Sequence, residues 1–258
     1  MISPLAYIHP EAKIGEGCEI GPFCVVERGV ELGPRNRLMN GVTLLPGARI
    51  GEGNTFFPGS VISAIPQDLK FRGEETTCEI GSHNTIRENV TINRGTASKG
   101  RTVVGNGNLL MEGMHIGHDC VVGNGCIIGN TTKLAGEVVV DDNAILSACV
   151  LVHQFCHIAG YVMISGGTGT SQDVPPYCIA ARNPVGFYGL NIVGLRRRGF
   201  TAEQINVIHS AYNILYAREG TFQTRLERML TELPHTPEVE YIHSFVSQSQ
   251  RGIISKPE

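Results

Sequence analysis

One aliphatic residue in every six marks most of this chain. Every sixth position from Ile8 to Ile164 gives 27 positions, of which 24 are apolar, where a 41% hydrophobic chain would place about 11 by chance. Only Asp68, Glu74 and Ser98 break the phase. A period of six fits neither an α-helix nor a simple alternating strand, but it is a known period of parallel β-helices. The pattern therefore predicts short strands, each with one large inward side chain, joined by corners.

The same pattern predicts how the strands stack. Three hexads would close one triangular coil of about 18 residues, and successive coils would pair in parallel at about 4.8 Å. The fourth residue after each aliphatic should also face inward and be small. Six of the eight cysteines share that phase, which favours reduced thiols packed as small hydrophobes over a redox or metal role. These six are Cys18, Cys24, Cys78, Cys120, Cys126 and Cys156.

Two segments interrupt the repeat, near residues 63–79 and 94–103, and both keep the spacing a multiple of six. Loops that leave a rigid solenoid often carry function. The first segment contains Gln67, Asp68 and Lys70. These side chains could contact a polar ligand or could simply be solvated.

The C-terminal part of the chain follows a different pattern. Thr201 and Gln204 form a capping box, and helical spacing of apolar residues follows as far as Gly220. Thr221 could cap a second helix, and a third is predicted over residues 237–249. A stack of coils leaves an unpaired edge at its end, so a helical cap is expected there.

Composition excludes some functions. The 258 residues carry a net charge of −3, so no basic field recruits nucleic acid or an anionic membrane. The N-terminus lacks a basic segment followed by an apolar core, and no apolar run approaches a membrane span. We therefore expect a cytoplasmic protein with no integral membrane segment and no nucleic-acid partner.

One column of the predicted coils carries candidate chemistry. His118 is the second residue after Ile116, and the same column one and two coils on holds Gly136 and Gln154. These three residues should align on one face within about 10 Å. Histidine can take a proton from an attacking hydroxyl, and an open glycine N–H can stabilise an oxyanion. The column therefore suits acyl transfer.

Neighbouring residues leave alternatives open. Asp119 follows His118, although strand alternation would send it to the opposite face. Nitrogen ligands for zinc could come from His115, His118, His153 and His157. Some carbonic anhydrases built from hexapeptide repeats hold three-histidine sites between chains. A purely structural solenoid is a third interpretation.

Several motifs together resemble the UDP-N-acetylglucosamine acyltransferase family, whose reaction opens lipid A biosynthesis. They are QDLK at 67–70, IREN and NRGT around 87–96, HIGHD at 115–119, LAG at 134–136, VHQFC at 152–156, QDVPPY at 172–177 and GLRRRGF at 194–200. The resemblance covers essentially the whole chain. It implies a mostly β protein, with a left-handed parallel β-helix of hexapeptide repeats over residues 1–189 and a C-terminal α-helical domain over residues 190–258.

The resemblance also implies a reaction and its partners. A homotrimer with active sites between subunits would transfer a long 3-hydroxyacyl chain from acyl carrier protein to the glucosamine 3-hydroxyl of UDP-N-acetylglucosamine. No metal and no resident cofactor are expected, since the 4′-phosphopantetheine arrives on the carrier protein.

Roles carry over to individual residues by the same resemblance. His118 matches the general base and Gly136 the oxyanion N–H. Gly166 and Met163 match positions that set acyl-chain length. The matched substrate contacts are Gln67, Asp68, Lys70, His115, His153, Gln154, Asn191, Arg197 and Arg198.

The sequence also departs from the family pattern. Glu137 and Asn93 stand where histidine is common, and Val193 stands where an acidic residue is common. None of them is the predicted base, so the reaction class is unaffected. An N-acyltransferase acting later in the same pathway, and an amine in place of the acceptor hydroxyl, remain alternatives.

Overall fold

The computed structural model describes residues 1–257, which form a left-handed parallel β-helix followed by four helices. Strands β1 to β27, numbered in chain order, form three faces. The first face contains β1 (Tyr7–Ile8), β4 (Val25–Val26), β7 (Thr43–Leu44), β10 (Val61–Ala64), β13 (Thr91–Asn93), β16 (His115–Ile116), β19 (Lys133–Leu134), β22 (Leu151–Val152) and β25 (Gly169–Thr170). The second face contains β2 (Lys13–Ile14), β5 (Glu31–Leu32), β8 (Ala48–Ile50), β11 (Thr77–Ile80), β14 (Arg101–Val104), β17 (Val121–Val122), β20 (Val139–Val140) and β23 (His157–Ile158). The third face contains β3 (Glu19–Ile20), β6 (Arg37–Leu38), β9 (Thr55–Phe56), β12 (Thr85–Ile86), β15 (Leu109–Leu110), β18 (Ile127–Ile128), β21 (Ile145–Leu146), β24 (Met163–Ile164), β26 (Cys178–Ala181) and β27 (Gly186–Leu190).

The register between coils confirms the predicted repeat. Each regular strand pairs in parallel with the strand 18 residues further along, as Ile8 does with Val26. The offset grows to 30 residues between Ile62 and Ile92 and to 24 between Ile92 and Ile116. The extra residues form two excursions, over residues 65–76 and 94–100. Both leave the corner between the first and second faces, which we call the His118 corner because His118 lies there.

The core is a stack of the residues that the hexad pattern places inside. The aliphatic residue of each hexad is buried in nearly every coil, and the six in-phase cysteines are buried free thiols. Burial raises the pKa of the Cys78 and Cys120 thiols to about 12, so these thiols stay protonated at neutral pH.

Asparagines replace the small inward residue in four coils, at positions 36, 54, 84 and 108. The side-chain oxygen of Asn36 accepts hydrogen bonds from the backbone N–H and side-chain amide of Asn54, at 2.8 and 2.9 Å. Asn84 bonds to Asn54 in the same way. Because each buried amide is satisfied by the next, this polar column costs the core little.

The corners have a regular backbone conformation. The third residue after an inward aliphatic has a positive φ in many hexads, including the non-glycine residues Asp119 (59°), Glu137 (60°) and Phe155 (66°). A left-handed residue ends the extended strand and turns the chain. Its side chain therefore does not follow the simple alternation of a strand.

Four helices follow the coils: α1 (Ile192–Arg197), α2 (Ala202–Leu215), α3 (Phe222–Glu232) and α4 (Pro237–Gln248). The predicted capping box is confirmed, since Thr201 and Gln204 each accept the other's backbone N–H. Helix α1 and the antiparallel pairing of β26 with β27 were not predicted. A helix of six residues is too short to show helical periodicity. None of the helices within residues 1–257 has the length and apolarity needed to cross a bilayer.

Helix α4 is bonded to the coils through Tyr241. Its hydroxyl donates to Asp141 Oδ2 at 2.5 Å and accepts the Gly160 N–H at 2.7 Å. Asp141 Oδ1 also lies 2.8 Å from Nε2 of His157. The carboxylate of Asp141 therefore joins a strand of the second face to the helical region.

Candidate active site

His118 and Gly136 lie in direct contact at the His118 corner, as the column predicts. A Cβ atom added to Gly136 would lie only 2.5 Å from both Cε1 and Nε2 of His118. The imidazole therefore covers the glycine, and any side chain there would displace the ring. The Gly136 N–H donates to no acceptor within residues 1–257. It is therefore available to an oxygen atom placed beside His118.

Asp119 corrects the expectation that it would face away from His118. Its Oδ2 lies 2.9 Å from Nδ1 of His118, and its side chain is fully buried. The expectation was wrong because it applied strand alternation to a corner residue, whose left-handed φ turns the side chain toward its neighbour. A carboxylate only accepts hydrogen bonds, so His118 carries its proton on Nδ1 and leaves Nε2 free.

The excursion 94–100 supplies the other hydrogen bonds to Asp119. The Thr96 N–H donates to Oδ1 at 2.9 Å, its hydroxyl donates to Oδ2 at 2.6 Å, and the Lys99 N–H donates to Oδ1 at 3.3 Å. In turn the Asp119 N–H donates to the Thr102 hydroxyl at 2.8 Å. The sequence gave no signal for these contacts beyond placing the interruption near the repeat that holds His118.

His115 lies on the first face, in the strand that precedes the His118 corner. Its Nδ1 is 2.7 Å from the Thr91 hydroxyl in the neighbouring coil. Burial is the main cause that lowers its pKa below 6.5, and the nearby Lys133 and His118 lower it further. His115 is therefore a neutral hydrogen-bonding group at physiological pH.

His153 and Gln154 lie one coil beyond Gly136 and are exposed. Nδ1 of His153 is 3.1 Å from the Gln154 carbonyl oxygen and 3.4 Å from Nη2 of Arg251. Arg251 belongs to the C-terminal tail, which returns to the last coil through a bridge between Asp173 and Ile253. The sequence did not single out Arg251, because nothing local shows that the tail folds back.

The first excursion presents Gln67, Asp68 and Lys70 at its outer end. Gln67 and Lys70 are exposed, and Asp68 is half-buried. Asp68 Oδ1 accepts the Lys70 backbone N–H at 2.9 Å, which fixes the turn but leaves the Lys70 ammonium free. No direct contact joins these three side chains to His118 among the hydrogen bonds of residues 1–257.

Asn191, Arg197 and Arg198 lie at the two ends of α1. Asn191 caps this helix by accepting the Gly194 N–H at 3.2 Å, and its amide donates to the Tyr161 carbonyl at 3.0 Å. Arg198 donates to the Asn143 side chain and to the Gly125 carbonyl, both at the corner between the second and third faces. Arg197 is exposed.

The residues matched to acyl-chain length lie at yet another corner. Met163 is a half-buried residue of β24 on the third face, and Gly166 is exposed in the following turn, before the first face. A Cβ atom at Gly166 would meet the Ala148 carbonyl oxygen at 3.2 Å, which is a tight contact. In one chain, the matched site residues are therefore spread over all three corners.

The described part of the chain, residues 1–257, holds no cluster of three or more His, Cys, Asp or Glu side chains placed to bind a metal ion. His118 is bonded to Asp119, and His157 lies on the second face bonded to Asp141. A single chain thus does not bring His115, His118, His153 and His157 together as one set of ligands.

Comparisons with known proteins place this geometry in a family. The family described as Udp N-acetylglucosamine O-acyltransferase; Domain 2 matches residues 173–254. An acyl-(acyl-carrier-protein)–UDP-N-acetylglucosamine O-acyltransferase of Pseudomonas putida is 45% identical over 253 residues, which cover 98% of each chain.

Solved structures agree over the full length. A UDP-N-acetylglucosamine acyltransferase from Bacteroides fragilis has a TM-score of 0.97 at 61% identity, covering 98% of this chain and 100% of that one. The Francisella novicida UDP-N-acetylglucosamine acyltransferase has a TM-score of 0.97 at 37% identity, covering 100% of this chain and 95% of that one. The resemblance seen in the motifs is confirmed, and the chain belongs to the UDP-N-acetylglucosamine O-acyltransferase family of acyltransferase enzymes.

Proposed function

We propose that this protein transfers a long 3-hydroxyacyl chain from acyl carrier protein to the glucosamine 3-hydroxyl of UDP-N-acetylglucosamine, the first step of lipid A biosynthesis. Relatives that match 98% of the chain carry the name of this reaction. The observation that supports it most directly is the His118 imidazole, bonded to the buried Asp119 and lying against Gly136. A cytoplasmic location is part of the proposal and agrees with the buried free thiols.

The geometry supports one order of events. Nδ1–H of His118 donates to Asp119, and Nε2 accepts the proton of the acceptor hydroxyl as its oxygen attacks the thioester carbonyl carbon. The Gly136 N–H stabilises the negative oxygen of the tetrahedral intermediate. The C–S bond then breaks, and the departing thiolate of the carrier's phosphopantetheine takes the proton from His118.

The remaining matched residues would bind and orient the substrates. Neutral His115, held by Thr91, can donate or accept a hydrogen bond beside the base without adding positive charge. Lys70, Arg197 and Arg198 would meet the phosphates, because ammonium and guanidinium groups pair with phosphate oxygens. Asn191 would act mainly by fixing the start of α1, since both atoms of its side-chain amide are already bonded.

A homotrimer is the assembly that makes one site from these parts. His118, Arg198 and Gly166 lie at three different corners of one chain. Copies related by a threefold axis can bring different corners of neighbouring chains together, as closed symmetry requires of a heterologous interface. Each site would then combine the His118 corner of one copy with residues from another.

Gly166 would leave room for a long acyl chain. It carries no side chain and is exposed in its own chain, and Met163 lies in the preceding strand of the third face. A larger residue at position 166 would project a side chain from that turn. A Gly166→Met variant is therefore expected to prefer shorter donors.

The test is product analysis by mass spectrometry with purified, metal-stripped protein. UDP-N-acetylglucosamine and a ladder of 3-hydroxyacyl carrier proteins of different lengths would be supplied, with His118→Ala as the matched inactive variant. We expect one O-acylated nucleotide with a long chain from wild type, and a loss of about 10²–10⁴-fold in His118→Ala. Near-normal turnover by a folded His118→Ala protein would contradict the assigned base. Product formed only with a 3-amino acceptor, or only with an already acylated nucleotide, would favour the related N-acyl transfers.

A further inference from the structure

Glu137 occupies a position with a special relation to Asp119. Both are the left-handed third residue after an inward aliphatic, and they are separated by 18 residues, which is one coil. Asp119 and Glu137 therefore stack at the His118 corner, each directly after a member of the catalytic column, His118 or Gly136. The family often has histidine at position 137, so this carboxylate is a feature of the chain itself.

The excursion 94–100 lies against both carboxylates. Its Thr96 and Lys99 backbone groups donate to Asp119, as described above. Its Ser98 hydroxyl donates to Oε1 of Glu137 at 3.0 Å, and the Lys99 ammonium lies 3.6 Å from Oε2. The excursion is thus fixed at two points, one coil apart.

We propose that Glu137 is a positioning residue for the His118 base, because it clamps the excursion 94–100 across Asp119 and thereby fixes the carboxylate that orients the imidazole. The inference rests on the proposed function for the role of His118, while the clamp itself rests on the contacts alone. The Ser98–Glu137 contact joins residues 39 apart in sequence, so no local turn would maintain it.

Burial explains why Asp119 needs this clamp. Its side chain is fully buried, and a buried carboxylate is stable only while its oxygens accept hydrogen bonds. Three of its donors belong to the excursion. If the excursion lifts, water replaces those donors and the carboxylate is no longer held at one distance from Nδ1 of His118.

The hydrogen bond from Ser98 matters more than the ion pair. Lys99 and Glu137 are partly exposed, with side chains 39% and 18% accessible, and at 3.6 Å their attraction is weakened by solvent. A glutamine at position 137 keeps an oxygen that accepts from Ser98, whereas an alanine keeps nothing. Glu137→Gln and Glu137→Ala therefore separate the clamp from the charge.

Amide hydrogen exchange tests the clamp without any substrate. We expect peptides covering residues 94–100 to exchange about tenfold faster in Glu137→Ala than in wild type. Exchange in Glu137→Gln should stay close to wild type. Glu52→Ala is the matched control, because Glu52 also bridges neighbouring coils, through Arg35, but lies between the second and third faces. Unchanged exchange in Glu137→Ala would overturn the proposal whether or not the protein turns over its substrates.

The pH dependence of kcat/KM tests positioning. Misplacement of a catalytic group by about 1 Å costs about 10²-fold, so Glu137→Ala should lower kcat by about 10- to 100-fold, with a small change in the KM for the nucleotide. Its acid limb should move to lower pH, because His118 loses a fixed carboxylate partner. Glu137→Gln should restore both. Faster exchange with an unchanged pH profile would reduce Glu137 to a loop contact and overturn the positioning role, whereas an inactive wild type would contradict the proposed function and leave the exchange result standing.

Discussion

Oδ2 of Asp119 lies 2.9 Å from Nδ1 of His118, although the two residues are consecutive in the chain. Consecutive residues of a strand point to opposite faces, but the φ of 59° at Asp119 ends the strand and brings its carboxylate back beside the imidazole. The corner of the coil therefore builds the orienting contact of the proposed base from adjacent residues.

Asp119→Asn is expected to keep the fold but lower kcat by about 10²–10⁴-fold. An amide can present its NH₂ to Nδ1, which would hold His118 in the wrong tautomer with its proton on Nε2. Steady-state kinetics and thermal unfolding of the same preparation measure both effects. Wild-type kcat in the folded variant would show that Asp119 does not orient the base.

Gly136→Ala should be strongly impaired, because the added methyl group would meet the His118 ring at 2.5 Å. The imidazole must move, and a shift of about 1 Å costs about 10²-fold in rate. Gly169→Ala is the matched control, since a Cβ atom there meets nothing within 4 Å. Equal activity of the two variants would mean that the ring is not packed on Gly136 during turnover.

His115 should make folding stability depend on pH. Its pKa lies below 6.5 in the folded protein, chiefly because of burial, so the unfolded chain binds the proton at higher pH than the folded chain does. Stability is therefore retained above pH 6.5 and is lost as the pH falls from there through the folded pKa.

Urea unfolding of wild type and His115→Gln, at fixed protein concentration and at pH values between about 8 and 5, measures this effect. The acid loss of stability should be smaller in the variant. His235→Gln, at an exposed position, controls for the removal of a histidine. Parallel pH curves for wild type and His115→Gln would contradict the expected linkage.

Tyr241→Phe should destabilise the protein by about 1–3 kcal/mol. The change removes the hydroxyl that donates to Asp141 and accepts the Gly160 N–H, leaving both partners without it. The unfolding midpoint in urea checks the prediction against Tyr7→Phe, whose ring is exposed. A loss no larger than that of Tyr7→Phe would show that this contact does not stabilise the helical region.

The coils were predictable from sequence because each hexad buries one side chain in a fixed direction. A residue such as Ile116 is constrained by the coils on both sides, so a single missed position does not obscure the period. The column of His118 and Gly136 followed from the same count. The helix after Thr201 was equally readable, since capping and helical spacing are local signals.

Other parts of the site could not be read in this way. The contact between Ser98 and Glu137 and the one between Arg251 and His153 join residues 39 and 98 apart. Neither belongs to the periodic pattern, because one partner lies in an excursion and the other in the C-terminal tail. The roles assigned to Gly166 and Arg198 depend on how copies of the chain meet, which hydrophobic periodicity within one chain does not encode.

The 18-residue coil has a consequence for how this enzyme can change over evolution. Backbone positions in one column recur at steps of about 4.8 Å, so the distance from His118 to Gly136 cannot be adjusted gradually by shortening or lengthening the chain. The backbone acts as a fixed lattice, and new substrate preferences must arise by exchanging the groups that occupy its points. A carboxylate in place of an imidazole at position 137 is one such exchange.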